Sequence, residues 1–436
     1  MRTTTPMRRA LKGPRQLAAL ILLGLAMSAC AAFPSAALLQ AGAAVGGSAA
    51  APANGAVAAV QLGSSTALPP SSSIIGRFAP VYMGSHWNFS LAQAITLAKE
   101  FDVIAAQSNV FSKYASAMKA AKPNLRIIAY VNGMFDLTSG GTAYPSSWYA
   151  HDAKGARIRS TFGNYLLNPG NSSWAQSVAK QCSDAIAKSH YDGCFLDTLG
   201  TAPLDPGYCT GLAIDPATGK VWTQTQWLQA TSTVAKTVQS SNPNAIVMDN
   251  GLADGQKYYN TSGSTEPLIA ATHVGMVELW LRSNGTPANK FKSEAEWLQD
   301  VNMIINAQAQ GYWIATTTKL WVPASSAQQA AWEKYALASF LMAANGKAYF
   351  SFMPNRTNSG LTYDSALEHV AIGTPTDTFK KVGSLYERTF SNGIAEVNVS
   401  GSPVTLTVAA GYRNLAGQFV TSETLPPNSG DVFVTG

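Results

Sequence analysis

The sequence predicts a (β/α)8 TIM barrel followed by a small C-terminal antiparallel β domain. From residue 78 onward, short apolar runs alternate with amphipathic helical segments, a pattern typical of a parallel sheet covered by helices. Eight such runs fit within roughly 280 residues, as a closed barrel with ordinary loops requires. After about residue 378 the pattern changes to β-branched and aromatic alternation with turn residues. The 436-residue chain is 46% hydrophobic, which supports a core of this size.

The first thirty residues have the pattern of a secretory signal peptide. A basic start leads into an uncharged apolar stretch from Leu17 to Ala29, which is too short for a membrane span. The residues Met27-Ser28-Ala29-Cys30 are similar to a lipoprotein processing box, so a lipid anchor at Cys30 and ordinary cleavage nearby both stay open. The expected location is secreted or tethered to the cell envelope.

The basic charge of the chain comes mainly from this segment. The formal net charge is +6, and the signal contains five Lys and Arg residues and no acid, so its removal leaves +1. No basic stripe for nucleic acid remains. We therefore expect no nucleic-acid partner, membrane contact only through Cys30, and a monomer.

Residues 31–75 are predicted to be a disordered tether. The segment is rich in Ala, Gly, Ser and Pro, and such a composition buries too little apolar surface to fold.

The barrel is predicted to span residues 76–377. Its eight strands are expected at Ala79 to Met83, Asp102 to Gln107, Arg126 to Val131, Gly193 to Asp197, Ala245 to Asp249, Val274 to Leu279, Tyr312 to Thr317 and Ala348 to Phe352. Helical segments between them are predicted at Leu91 to Glu100, Phe111 to Ala121, 172–188, Gln224 to Ser240, Ala295 to Gln310 and Gln328 to Asn345. The fifth connection has a weak helical signal. A doubly wound open sheet is the structural rival, but no Gly-rich phosphate loop follows the first strand.

Two cysteines are expected to meet between the third helix and the fourth strand. Cys182 lies on the apolar face of that helix, and Cys194 has the parity that points outward from the barrel. A disulfide and two buried thiols are equally compatible with this placement. Cys209 falls in a loop and is expected to be unpaired.

The C-terminal β domain is predicted over residues 378–436. Its strands are indicated by 393–399, 404–408 and 431–434, and no long helix interrupts them.

Function in such a barrel lies at the carboxyl ends of the strands. The run Tyr191-Asp192-Gly193-Cys194-Phe195-Leu196-Asp197 is a turn and an apolar strand that ends on a carboxylate. Parity turns Asp197 inward, and the same count turns Glu278 of the sixth strand inward. Two facing carboxylates are the minimum equipment for glycoside cleavage, although a strand-end acid can also cap a helix or form an ion pair.

Polar and aromatic residues at the other strand ends are candidates for substrate contact, because sugar rings stack on aromatic side chains. Asp249, beside Asn250 and Gly251, also fits a turn. The predicted substrate-binding residues are Tyr82, Trp87, Tyr130, Asn132, Asp249, Asn250 and Trp280.

Other chemistries have little support. The five histidines, His86, His151, His190, His273 and His369, lack the paired spacing of metal sites, and no Cys pair is spaced for zinc. Neither an esterase Gly-x-Ser-x-Gly elbow nor a phosphate-binding Gly-Lys-Ser loop is present. We predict no metal and no cofactor.

One stretch also resembles a known family. It contains Trp148-Tyr149, Asp152-Ala153-Lys154-Gly155, Leu166 to Asn171, Trp174 and Tyr191 to Asp197. This order is similar to bacterial glycoside hydrolase barrels, namely the hypothetical glycosyl hydrolase family 15 group and the related endo-α-1,4-polygalactosaminidase (family 114) group. Tyr386 to Asn398, with Arg388, Phe390, Asn392 and Gly393, resembles the start of the small β domain that follows such barrels.

The resemblance implies a glycosidase in which Asp197 is the nucleophile and Glu278 the acid/base. Relatives often have Asp where this chain has Asn168, so the resemblance assigns no role to that position. The expected function is an exported, metal-independent glycoside hydrolase, retaining in mechanism, that acts on an oligosaccharide or polysaccharide. The alternative is a carbohydrate-binding surface protein that kept the barrel without turnover. A distance of about 5–5.5 Å between the two carboxylates suits a retaining enzyme and one of about 6.5–9.5 Å an inverting enzyme, whereas acids that point apart or are closed off by Lys or Arg favour the binding protein.

Overall fold

The computed structural model describes residues 68, 73–83, 87–357 and 366–436. The predicted signal peptide 1–30 with Cys30, most of the predicted tether 31–75, and His86 lie outside the described residues.

Eight parallel strands close into a barrel, which confirms the predicted fold class and rejects the open sheet. Each strand pairs with its sequence neighbours, and the eighth pairs with the first through Gly76 and Tyr349. The strands are β1 (Gly76–Pro80), β2 (Val103–Ala106), β3 (Arg126–Asn132), β4 (Gly193–Asp197), β5 (Ile246–Asn250), β6 (Val274–Val277), β7 (Trp313–Thr316) and β8 (Ala348–Phe350).

Eight helices occur along the described part of the barrel. They are α1 (Leu91–Glu100), α2 (Ala115–Ala121), α3 (Ser172–Ser189), α4 (Gln224–Ser241), α5 (Gly255–Tyr258), α6 (Glu266–Thr272), α7 (Glu294–Ala309) and α8 (Ser326–Ala343). The weakly signalled fifth connection contains the two short helices α5 and α6. Four helices start at a capping box, in which a Ser or Thr side chain and a Gln or Glu three residues later satisfy free backbone N–H groups.

Side chains alternate between a barrel interior and a layer beneath the helices. Phe195 of β4 lies in the interior cluster with Phe78 and Ile128, whereas Cys194 and Leu196 belong to the helix–sheet cluster. Gly193 is required at the start of β4, because a Cβ there would lie 1.8 Å from the backbone oxygen of Ile246. The predicted parity of β4 is therefore correct.

A disulfide links Cys182 of α3 to Cys194 of β4, with the two Cα atoms 5.7 Å apart. It joins helix to barrel three residues before Asp197. Cys209 is a free, half-buried thiol.

The C-terminal domain contains a five-stranded antiparallel sheet and a two-stranded sheet. Its strands are β9 (Lys380–Val382), β10 (Leu385–Phe390), β11 (Gly393–Asn398), β12 (Val404–Thr407), β13 (Tyr412–Arg413), β14 (Ser422–Leu425) and β15 (Ser429–Thr435). The larger sheet has the order β9-β10-β11-β15-β13, and β12 pairs with β14. This sheet packs on α8, where Lys334 forms an ion pair with Asp431 at 2.9 Å.

Within the described residues, no helix has the length and apolar character needed to cross a membrane.

Candidate active site

Two carboxylates lie at the carboxyl end of the barrel. Asp197 is the last residue of β4, and Glu278 directly follows β6. Directly after Asp197, Thr198 has a φ of 68°, a left-handed conformation that is rare for a β-branched residue. Such backbone strain often occurs at functional sites.

Asn250, the last residue of β5, lies between the two acids. Its Nδ2 atom donates hydrogen bonds to Oδ1 of Asp197 at 2.9 Å and to Oε2 of Glu278 at 2.8 Å. Since these distances add to 5.7 Å, the two oxygen atoms can be no farther apart than that. The structure thus brings together three of the predicted site residues.

Lys319 contacts the second carboxylate oxygen of Glu278, the one that Asn250 leaves free. The residue belongs to a two-residue extension of β7, Thr318–Lys319, and its side chain is 0% exposed, whereas that of Glu278 is 32% exposed. Its Nζ atom donates to Oε1 of Glu278 at 2.6 Å and lies 4.8 Å from the centre of the Trp321 ring. The sequence places Lys319 after the seventh strand but does not reveal this ion pair, because the pair depends on how far two separate strands extend.

An aromatic stack supports Asp197 from the interior of the barrel. The Tyr130 hydroxyl donates to Oδ2 of Asp197 at 2.7 Å, and Asn132 donates to the Tyr130 oxygen at 3.1 Å. The Tyr82 ring stacks on Tyr130 and on Phe195, with centroids 5.4 and 4.3 Å away. Both oxygens of Asp197 therefore accept hydrogen bonds from groups held in fixed positions.

The two acids differ in charge. Burial, and then the negative charge of Glu278, raise the pKa of Asp197 to about 6. Burial also acts to raise the pKa of Glu278, but contact with the Lys319 ammonium and the Asn250 amide outweighs it, so that pKa is lowered. In the free site Glu278 is the ionised member, and a proton taken up by the pair resides on Asp197.

Tyr208, in the loop after β4, is a neighbour of the pair that the sequence analysis missed. Burial raises the pKa of its phenol, and the charges of Asp197 and Glu278 raise it further, so the hydroxyl lies within the field of both acids. Its only sequence signal is that it is an aromatic residue in the loop after the strand that ends on Asp197.

Two predicted substrate-binding residues are wrong. Asp249 points outward beneath the helices, where it is 0% exposed and accepts a hydrogen bond from Thr272 of α6 at 3.0 Å. Burial raises its pKa to about 7. Trp280 is also 0% exposed and packs edge-on against Phe340 of α8. Neither side chain can contact a sugar.

The remaining predicted contacts are placed as follows. Tyr82 is 7% exposed, and its hydroxyl donates to Sδ of Met276 at 3.5 Å. Asn132 uses its side-chain oxygen to accept from the backbone N–H groups of Met134 and Phe135. Trp87 is half-buried against the apolar cluster around the first three strands. Substrate contact by Tyr82, Asn132, Trp87 and Tyr130 stays a prediction.

Over the described parts of the chain, no group of three or more His, Cys, Asp or Glu side chains is arranged to hold a metal ion.

Comparison with known proteins places the chain in a family. The family model described as hypothetical glycosyl hydrolase family 15 matches residues 119–394, more than half of the chain. No curated protein matches. Among solved structures, the glycoside hydrolase domain of PelA from Pseudomonas aeruginosa has 15% identity and a TM-score of 0.42, with 68% of this chain and 98% of that chain covered.

Two further solved structures cover more of the chain. Amy13B from Eubacterium rectale has 10% identity and a TM-score of 0.49, with 84% of this chain and 97% of that chain covered. An α-amylase from Anoxybacillus has 12% identity and a TM-score of 0.47, with coverages of 83% and 96%. On the match of the family model, this chain belongs to the hypothetical glycosyl hydrolase family 15.

Proposed function

We propose that the protein cleaves glycosidic bonds of an oligosaccharide or polysaccharide with the carboxylate pair Asp197 and Glu278, and with retention of anomeric configuration. Family membership supports glycosidic-bond hydrolysis and a carbohydrate substrate in general terms. The pair and the stereochemistry rest on the geometry of the site.

The observation that carries the proposal is the Asn250 bridge. One amide nitrogen contacts both carboxylates. The two facing oxygens are therefore at most 5.7 Å apart, which is the sum of 2.9 and 2.8 Å. Retaining enzymes have carboxyl groups about 5–5.5 Å apart, whereas inverting enzymes need about 6.5–9.5 Å for a water molecule. The short separation supports retention.

In the retaining mechanism one carboxylate attacks the anomeric carbon while the other donates a proton to the leaving oxygen. The resulting glycosyl ester is then cleaved by water, whose proton returns to the second residue. The family resemblance assigns attack to Asp197 and proton transfer to Glu278. The partial exposure of Glu278 agrees with this assignment, because the acid must reach the leaving group.

The protonation states of the two acids in the ligand-free site oppose these roles. Lys319 favours an ionised Glu278, so attack by Asp197 requires that the proton of the pair reside on Glu278 once substrate is bound. The opposite roles need no such transfer. The pair as a whole needs one proton in either case, so we expect a bell-shaped dependence of activity on pH.

A digestion experiment with a panel of glycans tests the pair. Wild type, Asp197→Asn, Glu278→Gln and the control Asp184→Asn, an exposed acid on α3, are incubated with α- and β-glucans, xylan, galactan, polygalacturonate and polygalactosamine. We expect both site variants to lose at least about 10²-fold in rate, because each removes a covalent or proton-transfer step, and the control to match wild type. Full activity in either site variant removes that residue from the mechanism.

Product stereochemistry and azide rescue then test retention and the two roles. NMR of the first product should show the anomer of the substrate, and the opposite anomer contradicts retention. With azide, Asp197→Gly should give a glycosyl azide of inverted configuration if Asp197 is the nucleophile. Glu278→Gly should give the retained one. The reverse pattern assigns attack to Glu278 and proton transfer to Asp197, the roles that the protonation states of the ligand-free site favour.

The Lys319 contact keeps a second candidate function open, that of a carbohydrate-binding protein without turnover. A lysine that closes off one acid is what such a protein would show. A wild-type protein that binds a glycan of the panel and cleaves none supports this alternative.

Export is part of the proposal. The signal-like residues 1–30 support it, and so does the Cys182–Cys194 disulfide, because disulfides persist in oxidising compartments. Mass spectrometry of the N-terminal peptide of the mature protein should find a start at or near Cys30, with or without lipid. An intact Met1 start contradicts export by this signal.

A further inference from the structure

Two loops at the carboxyl end of the barrel are joined edge to edge. One follows β3 and covers residues 133–171, and the other follows β4 and covers residues 198–223. The backbone N–H of Thr161 donates to the oxygen of Tyr208 at 3.0 Å, and that of Thr210 donates to the oxygen of Arg159 at 2.8 Å. Ser160 and Cys209 form an isolated antiparallel bridge between these bonds. The tips of the two loops therefore hold each other in place.

This junction presents two aromatic rings. Phe162, at the tip of the first loop, is 56% exposed, and the half-buried ring of Tyr208 meets it edge-on with centroids 5.9 Å apart. Phe135 lies behind Tyr208 at 6.4 Å. We call Phe162 and Tyr208 the aromatic wall.

The aromatic wall lies beside the acid pair. Tyr208 lies in the loop that begins directly after Asp197, and its ring is 6.4 Å from that of Phe135. The Phe135 backbone N–H donates to the side chain of Asn132, which donates to Tyr130, the hydrogen-bond donor to Asp197. The charges of both acids also act on the Tyr208 phenol. Tyr208 is half-buried, whereas Phe162 is exposed to solvent. Within the described residues the Tyr208 hydroxyl makes no side-chain hydrogen bond, so it is free to bond a ligand.

A second exposed phenylalanine provides a contrast. Phe419 of the β domain is 61% exposed, but the Arg413 guanidinium lies 3.7 Å from the centre of its ring. Phe162 lies in a loop held by backbone pairing, and its exposed ring meets the Tyr208 ring. A rigid aromatic face with a neighbouring hydroxyl is suited to the C–H face and hydroxyl groups of a sugar ring.

We propose that Phe162 and Tyr208 form a sugar-binding subsite for a ring of the glycan chain other than the ring that is attacked. This inference rests on the proposed function, because it uses the acid pair as the cleavage point. It implies that the substrate is a chain and not a single sugar with a small leaving group. Phe162 stacks on the ring, and the Tyr208 hydroxyl bonds one of its hydroxyl groups.

Binding without cleavage tests the subsite independently of catalysis. Full-length Glu278→Gln protein is run in native gels that contain each polysaccharide of the panel, and the retardation is compared after adding Phe162→Ala, Tyr208→Phe or Phe419→Ala. We expect Phe162→Ala to weaken the binding of a retained glycan by about threefold to tenfold, as loss of one aromatic contact does. Tyr208→Phe should have a smaller effect, and the control Phe419→Ala should have none.

Several outcomes overturn the subsite. Equal retardation of Phe162→Ala and its parent does so, as does an equal loss in Phe419→Ala or the absence of retardation by every polysaccharide. If wild type cleaves nothing but Phe162→Ala weakens binding, the proposed hydrolysis fails and the subsite stands. If wild type cleaves a glycan, Phe162→Ala should lower kcat/KM for long chains and leave the shortest cleaved oligosaccharide unchanged. Tyr208→Phe keeps the ring and guards against a folding defect.

Discussion

At the scale of single residues, Lys319 decides how charge is divided in the candidate active site. A buried ammonium without a counter-ion is costly, and Glu278 is the carboxylate in contact with it. The contact holds Glu278 ionised, which leaves Asp197 as the group that takes up the next proton. The same lysine therefore acts on both acids, although it touches only one of them.

Lys319→Met should move both limbs of the pH–activity profile to higher pH. Without the cation, burial dominates at Glu278, so each of the two protons of the pair is lost at a higher pH than in wild type. At the wild-type optimum we expect a loss of activity smaller than the about 10²- to 10⁴-fold that general acid–base catalysis contributes. Carbon NMR titration of the Asp and Glu carboxyl groups gives the same shift without a substrate.

Lys347→Met is the matched control, since Lys347 lies at the opposite end of the barrel, directly before β8, and donates to the backbone oxygen of Gly311. An unchanged profile and titration in Lys319→Met would show that the lysine has no influence on the pair.

The sequence predicted the acid pair, but it also predicted that Asp249 binds substrate, whereas Asp249 is buried beneath the helices. Strand five was expected to end on Asp249, whereas β5 ends one residue later on Asn250. Side chains of a strand alternate between its faces, and Ile246 and Met248 of β5 lie in the barrel interior, so Asn250 points to the acids and Asp249 to the helices. Trp280 was misassigned because a tryptophan after a strand fits a binding wall and a packed core equally well.

At the scale of elements, helix starts are the features most directly encoded in the sequence. The pairs Ser90/Gln93, Thr223/Gln226, Ser293/Glu296 and Ser325/Gln328 each form a capping box. Each needs only residues three apart in the chain, so α1 and α4 begin where the sequence predicted. The end of α8 is different, because its partner comes from a strand that lies more than forty residues later, namely Arg388 of β10.

Arg388→Met should destabilise the protein by about 1–3 kcal/mol, since it leaves buried carbonyl groups without donors. Its Nη1 atom donates to the backbone oxygens of Leu341, Met342 and Ala344 at 2.8, 3.1 and 2.8 Å, at the end of α8 where helix carbonyls lack partners. Arg388→Lys should recover part of the loss. Urea unfolding measures it, with the exposed Arg413→Met as control, and equal midpoints for the Met variants contradict this role.

At the scale of the whole molecule, a row of charged side chains crosses the sheet that packs on α8. Lys380, Glu387, Glu396 and Asp431 stand opposite one another on β9, β10, β11 and β15. Lysines neutralise the two ends of the row, Lys380 at Glu387 and Lys334 at Asp431. Glu396 lies in the middle, 5% exposed and between two other acids. The sequence could predict the strands but not this register.

The position of Glu396 makes the stability of the protein depend on pH. Burial, and then the neighbouring Glu387, raise the pKa of Glu396 from its ordinary 4.5 to about 8. Between these values the folded protein keeps a proton that the unfolded chain releases, so stability is fully present below about 4.5 and is lost as pH rises through about 8. In that window this group lowers the free energy of unfolding by about 1.4 kcal/mol per pH unit.

Glu396→Gln should abolish this dependence, because the amide stays neutral and can still donate a hydrogen bond to Glu387. Relative to wild type, the variant should gain stability steadily from pH 5 to pH 8 and show no further relative gain at higher pH. Urea unfolding at several pH values measures the difference, in which the slopes from other titrating groups cancel. Glu423→Gln is the control, since Glu423 accepts a hydrogen bond from Asn414 on another part of the domain. If the free energies of unfolding of wild type and Glu396→Gln change with pH in parallel, Glu396 is ionised in the folded protein and this explanation of the pH dependence is wrong.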